Sequence, residues 1–124
     1  MKEIDRLPDL DWSDRAREQI ALTGGDALIR DSHVAYRLGN AAVIGLVYPS
    51  FFAPPWLWMA LARDISLRDL IDFRRMQERI PRGTLTGIED GDEVAHRFAA
   101  FYGFVDSGQV VESAGLSYII MRKA

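Results

Sequence analysis

The sequence predicts one α/β domain, a mixed sheet with helices on both faces, and three stretches carry that expectation. Residues 56–62 alternate Trp56, Trp58 and Ala60 on one side with Leu57, Met59 and Leu61 on the other, so both faces of this strand are apolar. Such a strand is covered on both sides and belongs inside a sheet. The next stretch opens with Ser66 as N-cap and Asp69 three residues on as its reciprocal acceptor, the signature of a helix start. The third, residues 84–122, holds a short apolar segment, an amphipathic helix, Gly103-Phe104 and a closing strand.

The remaining elements follow in chain order. Residues 2–7 form a short first strand with Ile4 and Leu7 as apolar contacts, ended by Pro8. Trp12, Ala16 and Ile20 mark one face of a helix over residues 13–23, with Ser13 as N-cap and Gly24-Gly25 as terminator. Residues 27–30 and 33–38 read as short strands, and Gly39-Asn40 turns the second into its partner over 41–48. The helix after Ser66 runs to about residue 79, with Leu67, Leu70, Ile71, Phe73, Met76 and Ile80 as its apolar stripe. Arg68, Asp72, Arg75 and Arg79 lie opposite, Ile65 and Leu70 form a hydrophobic staple, and Pro81-Arg82-Gly83 ends the helix. Residues 84–89 are a strand. Val94, Phe98, Phe101 and Tyr102 then fall at i, i+4, i+7 and i+8 on one helical face. Gly103 stops this helix, and Phe104-Val105 starts the next strand. With no repeat, low-complexity run or linker, residues 1–124 form a single domain.

Composition narrows the function classes. With 15 basic and 18 acidic residues the formal charge is −3, which offers no attraction to a nucleic-acid backbone or an anionic membrane. No cysteine is present, which removes disulfides, thiolate zinc sites and a cysteine nucleophile. The charged amino terminus is unlike a signal peptide, so a cytoplasmic protein is expected. Residues 40–62 carry no charge, but Gly45, Pro49, Pro54 and Pro55 break the stretch; two buried strands and a turn fit it better than a membrane span. His33 and His96 share no metal-ligand spacing, and no serine sits in a nucleophile elbow. No metal site is expected.

The order of elements resembles the GNAT acyltransferase fold over nearly the whole chain, with one of the two early helices shortened or missing. Ala95, Phe98, Gly103 and Phe104, followed by the strand over 116–122, are similar to the family's "A-x-x-F-Y-x-x-x-G-F" helix and closing strand. The resemblance implies a largely antiparallel sheet in which the strand over 56–62 splays from its neighbour. It also implies acetyl-CoA or another acyl-CoA as cofactor, an amine as acceptor, and a pyrophosphate held at the N-terminus of the helix after that strand. The corresponding positions are Arg63, Asp64, Ile65, Ser66, Leu67 and Arg68. They contain no glycine where the family carries "Q/R-x-x-G-x-G/A", and Asp64 brings negative charge. The framework is similar as well to small internal virion proteins of short-tailed phages, which implies a virion-associated, non-catalytic assembly role as the alternative.

Candidate chemistry is sparse. Many family members use a tyrosine directly after the helix phenylalanine as general acid; Ala99 stands there, leaving Tyr102 as a relocated acid or as a packed aromatic. Glu89, with Asp90 and Asp92, is either a base for an amine or part of a solvated acidic turn. Asp92, where the family often has asparagine, suits a helix cap. Phe51 and Phe52, beside Pro54, Pro55 and Trp56, are a protein-docking surface if exposed and filling for the sheet edge if buried.

Overall fold

The computed structural model describes residues 2–63 and 65–124; the side chains of Leu67, Leu70, Asp72, Phe73 and Met76 lie outside the description. The strands are β1 (Lys2–Glu3), β2 (Val34–Leu38), β3 (Ala42–Val47), β4 (Trp56–Leu61), β5 (Leu85–Glu89), β6 (Phe104–Ser113) and β7 (Leu116–Lys123). The helices are α1 (Asp14–Thr23), α2 (Gly25–Arg30), α3 (Leu67–Met76) and α4 (Glu93–Phe101). One seven-stranded sheet forms in the order β1-β2-β3-β4-β5-β7-β6, antiparallel at every pairing except the parallel one between β4 and β5.

Alternation along β3 and β4 builds two cores. Ala42, Ile44, Leu46, Leu57 and Leu61 pack on one face with Ala95, Phe98, Ala99 and Tyr102 of α4 and with Ile80 beyond α3. Val43 and Ala60 point the other way, to Trp12, Ala16 and Ile20 at α1. The tryptophan-rich strand is therefore central and covered on both sides.

Several expectations change. Residues 27–30 are helical: Gly24, at φ +69°, ends α1, and its carbonyl accepts from the Ala27 and Leu28 amides that open α2. Four residues carry too little periodicity to separate a strand from one helical turn. Both early helices are thus present. The first strand is shorter than expected: after Glu3 the Ile4 amide makes one more bond to the Ala35 carbonyl (3.0 Å), and the Leu7 amide donates to Asp26 Oδ1 (2.8 Å) and not to a strand. The apolar face of α4 is Ala95, Phe98, Ala99 and Tyr102; Val94 and Phe101 are exposed, since the alanines allow the helix to lie close to the sheet on their side. On α3, Ile71 is exposed, while the expected staple and stripe positions Leu67, Leu70, Phe73 and Met76, and Asp72 opposite, lie outside the described side chains. The capping box forms as expected, with Ser66 and Asp69 bonded reciprocally, and a 3-10 turn (Gln77–Arg79) follows.

At the carboxyl end of α4, the Lys123 ammonium donates to the Tyr102 carbonyl, satisfying an orphan acceptor of the last turn. Burial, and then the charge of Arg82, lower the Lys123 pKa.

The feature that positions the site is the brevity of the β4–β5 pairing. The strands match at one register position, Trp56 opposite Leu85, with the Leu85 amide donating to the Pro55 carbonyl (2.9 Å). The Thr86 hydroxyl then donates to the Leu57 carbonyl (2.9 Å), where a backbone donor would serve in a closed ladder. Beyond this the strands separate. At the far end the segment before α1 takes up the edge of β4: the Ser13 amide donates to Leu61 and the Arg63 amide to Asp11, both at 2.8–2.9 Å.

Thr86→Val should cost about 1–3 kcal/mol, because it strands a buried carbonyl without its donor. Urea unfolding measures this; a change within about 0.5 kcal/mol, the range of surface substitutions, would show that the hydroxyl does not hold the fork of the two strands.

Candidate functional site

The fork opens on the α1 face of the sheet as a cleft of about 870 Å³. Its floor comes from Trp58, Gly87, Tyr118 and Ile120, and its mouth from Arg15 of α1, Glu89, Asp92 and Val94. Gly87 is exposed there.

Trp58 shapes the inner wall. Its indole lies across Gly45, where an added Cβ would stand 2.3 Å from the ring, and its Nε1 donates to Ser32 Oγ (2.7 Å). Ser32 in turn donates to the Leu28 carbonyl (2.7 Å) at the end of α2. A glycine inside a strand is the signal that could have revealed this close approach; nothing local identifies Ser32.

At the mouth, Arg15 Nη1 meets Glu89 Oε2 at 2.5 Å and its Nε lies 3.9 Å from Asp92 Oδ2. Of the carboxylates anticipated here, Glu89 does line the cleft, engaged by a guanidinium on another element. Arg15 sits on the polar side of an amphipathic helix and no local pattern singles it out. The acidic segment has turn geometry, with the Asp92 amide donating to the Glu89 carbonyl (3.0 Å) and Gly91 at φ +90°. Asp92 Oδ1 accepts from the Ala95 amide (3.1 Å), capping α4.

The N-terminus of α3 is occupied by its own side chains. Asp69 Oδ2 accepts from the Ser66 amide (3.2 Å) and hydroxyl (2.7 Å), and Ser66 Oγ accepts from the Asp69 amide (3.2 Å). Unpaired amides and the helix dipole make such an end attractive to anions; here a carboxylate of the chain takes that position. Arg63 turns away toward α1, its Nε donating to the Trp12 carbonyl (3.1 Å) and its Nη2 to Asp14 Oδ1 (2.9 Å), with Asp11 Oδ1 at 3.7 Å. Ile65 packs against the core, Arg68 is exposed, the Leu67 side chain is outside the description, and Asp64 lies outside the described residues altogether.

Tyr102 is not brought to the cleft. It is 1% exposed in the core, stacked edge-on against Phe98 with centroids 4.8 Å apart, and burial pushes its hydroxyl pKa far up. That environment suits packing rather than proton transfer at neutral pH. Phe51 and Phe52 are 99% and 98% exposed on the loop between β3 and β4, so the edge-filling alternative does not hold. Among the described residues, no group of His, Cys, Asp or Glu is placed to hold a metal ion, and no helix is long and apolar enough to cross a membrane.

No protein-family profile and no curated protein matches this sequence. Solved structures do. A spermidine N-acetyltransferase chimera from Vibrio cholerae and hSSAT superposes with a TM-score of 0.56 at 11% identity, over 88% of this chain and 74% of the other. A protein provisionally named phosphinothricin N-acetyltransferase gives 0.53 at 12% identity, over 87% of each chain. Ribosomal-protein-alanine N-acetyltransferase from Brucella melitensis gives 0.51 at 17% identity, over 89% and 76%. The chain has the GNAT fold. At these identities the likeness concerns architecture, and chemistry must be argued from the cleft itself.

Gly45→Ala should destabilise the protein by about 1–3 kcal/mol, because the indole of Trp58 must leave its place. Denaturant unfolding reads the cost. An unchanged midpoint would mean that Trp58 does not lie on Gly45.

Proposed function

We propose that this chain uses the GNAT frame as a binding and assembly module and does not transfer acyl groups from acyl-CoA. One observation carries the reading: at the anion-binding end of α3 the Ser66 and Asp69 amides are taken by the chain's own side chains, and the Asp69 carboxylate sits there. A pyrophosphate placed there would meet negative charge where it needs free amides and positive charge. Arg63, the cation best placed in sequence to help, is held by Asp14 and the Trp12 carbonyl. At the far end of the forked edge the Ser13 amide takes the Leu61 carbonyl and the Asp11 carbonyl takes the Arg63 amide, so an extended ligand reaching that end would compete with the chain's own backbone. The residues present do not fit the cofactor. An assembly role of this kind is what the sequence resemblance to internal virion proteins of short-tailed phages implies.

A second reading, an N-acyltransferase acting on an amine, draws on the fold of the structural neighbours and on Glu89 at the mouth of an open cleft. In that reading Glu89 is the base, and Arg63, Asp64, Ile65, Ser66, Leu67 and Arg68 would hold the cofactor. It requires Glu89 to part from Arg15 and the capping box to open.

A thermal melt with acetyl-CoA separates the readings. A ligand at about 100 times its Kd stabilises the native state by about 2.7 kcal/mol, which raises Tm by several degrees in a domain of this size. The first reading predicts a shift below about 1 °C at millimolar acetyl-CoA. A rise of several degrees would restore the enzyme.

A further inference from the structure

We infer that the outer edge of β6 pairs with the same edge of a second copy of this chain, antiparallel about a two-fold axis at Val111, joining the two sheets into one. The inference rests on reading the chain as an assembly module and names a partner for it. β6 is the last strand of the sheet, and every residue of it after Phe104 is exposed, Val105, Val110 and Val111 included. From Ser107 to Tyr118 the hairpin carries one charge, Glu112, with no lysine and no proline. Protein sheets blunt an open edge with short strands, lysine or proline, because bare N–H and C=O groups recruit another strand. The opposite edge of this sheet is blunted in that way: β1 is two residues long and both are charged. The bulge in β6 lies between Asp106 and Gln109 and leaves the stretch after it regular.

The ladder with β7 decides which groups that stretch turns outward. Ser117 gives its carbonyl to the Asp90 amide at the end of β5 (2.8 Å), so here β7 directs its polar groups away from β6. The Ile120 carbonyl accepts from Ser107 Oγ of β6 (2.6 Å), so there they face β6. Antiparallel ladders alternate residue by residue. Gln109, Val111 and Ser113, opposite Ile120, Tyr118 and Leu116, therefore bond to β7. Val110 and Glu112, opposite Ile119 and Ser117, present their amides and carbonyls to the open edge.

This pattern is complementary to itself in one register. With Val111 opposite its own copy, Val110 of each chain stands opposite Glu112 of the other, and both outward residues exchange amide and carbonyl bonds in full. Centring on Glu112 would set two carboxylates directly opposite each other, which repels. Centring on Val110 would bring Glu112 against Gly108 in the bulge, whose amide Asp106 Oδ1 already takes (2.8 Å). What fits the edge is thus an extended strand, uncharged at its centre, that donates and accepts at two alternate residues, and β6 of a second copy is such a strand. The pairing uses each β6 once and closes as a dimer. Because Val111 lines the cleft of each copy, its two side chains meet on that face and both clefts open on the same side of the joined sheet.

Cysteine pairing reads the register directly, since the chain has no cysteine of its own. Residues opposite each other at a non-hydrogen-bonded position have Cα atoms about 4.5 Å apart, within the range of a disulfide, so Val111→Cys should form a covalent dimer under mild oxidation. Gln109→Cys lies on the same face but is offset from its own copy by about 13 Å along the strands, and should not. In sedimentation equilibrium the wild-type chain should pass from monomer to dimer with rising concentration, without larger species. Val111→Lys, a change at an exposed position, sets two ammonium groups opposite each other and should weaken dimerisation at least about tenfold. A chain that stays monomeric at every concentration would overturn the inference. So would a dimer that Val111→Lys leaves intact, or one in which Gln109→Cys cross-links as readily as Val111→Cys, because another register or another surface would then hold it. Acetyl-CoA binding is read by melting and strand pairing by cross-linking, so this inference and the proposed function can fail separately.

Discussion

Every buried backbone donor and acceptor must find a partner, and the outer edge of β4 is where this chain meets that requirement in an unusual way. Its neighbour β5 pairs with it at a single position. On this edge a threonine hydroxyl serves the Leu57 carbonyl near the fork, and the segment before α1 serves the Leu61 carbonyl and the Arg63 amide at the far end. The cleft exists because β5 leaves. It is bounded because Asp11 and Ser13 arrive.

The same economy governs charge. Asp69 satisfies amides at the start of α3, Asp92 does so for α4, and Arg15 and Arg63 are drawn to carboxylates on other elements. These exposed ion pairs contribute little stability individually; their consequence is that cations near the cleft are committed to the chain itself. A largely apolar hollow remains, its neighbouring cations already paired, which suits a polyphosphate poorly. Fold and chemistry separate here: the architecture is shared with N-acetyltransferases, and the anion cradle is filled by a capping box.

How much of this was legible depended on how local each cause is. The capping box at Ser66 and Asp69 spans four residues and was read directly, as was the two-sided strand from Trp56. The Ser13 cap and the Gly39 turn were equally plain. Residues 27–30, expected as a strand, belong to the helix over 25–30, because one and a half turns leave too short a pattern to tell the two apart. The buried face of α4 is rotated from Val94 and Phe101 toward Ala95 and Ala99, because their small size lets the helix approach the sheet. The bonds from Ser13 to Leu61, from Arg15 to Glu89 and from Trp58 to Ser32 join distant positions and have no local signature. The exposure of Phe51 and Phe52 was undecidable from sequence, because a proline-rich aromatic turn can fold inward or outward.

The central claim, that the fork and the helix start are satisfied from within, is tested most directly by amide hydrogen exchange with and without excess acetyl-CoA. The Ser13, Arg63, Ser66 and Asp69 amides should exchange slowly in the free protein, and added cofactor should leave their rates unchanged. Fast exchange at these positions that becomes protected on adding acetyl-CoA would mean that the partners lie outside the chain, and would contradict the account.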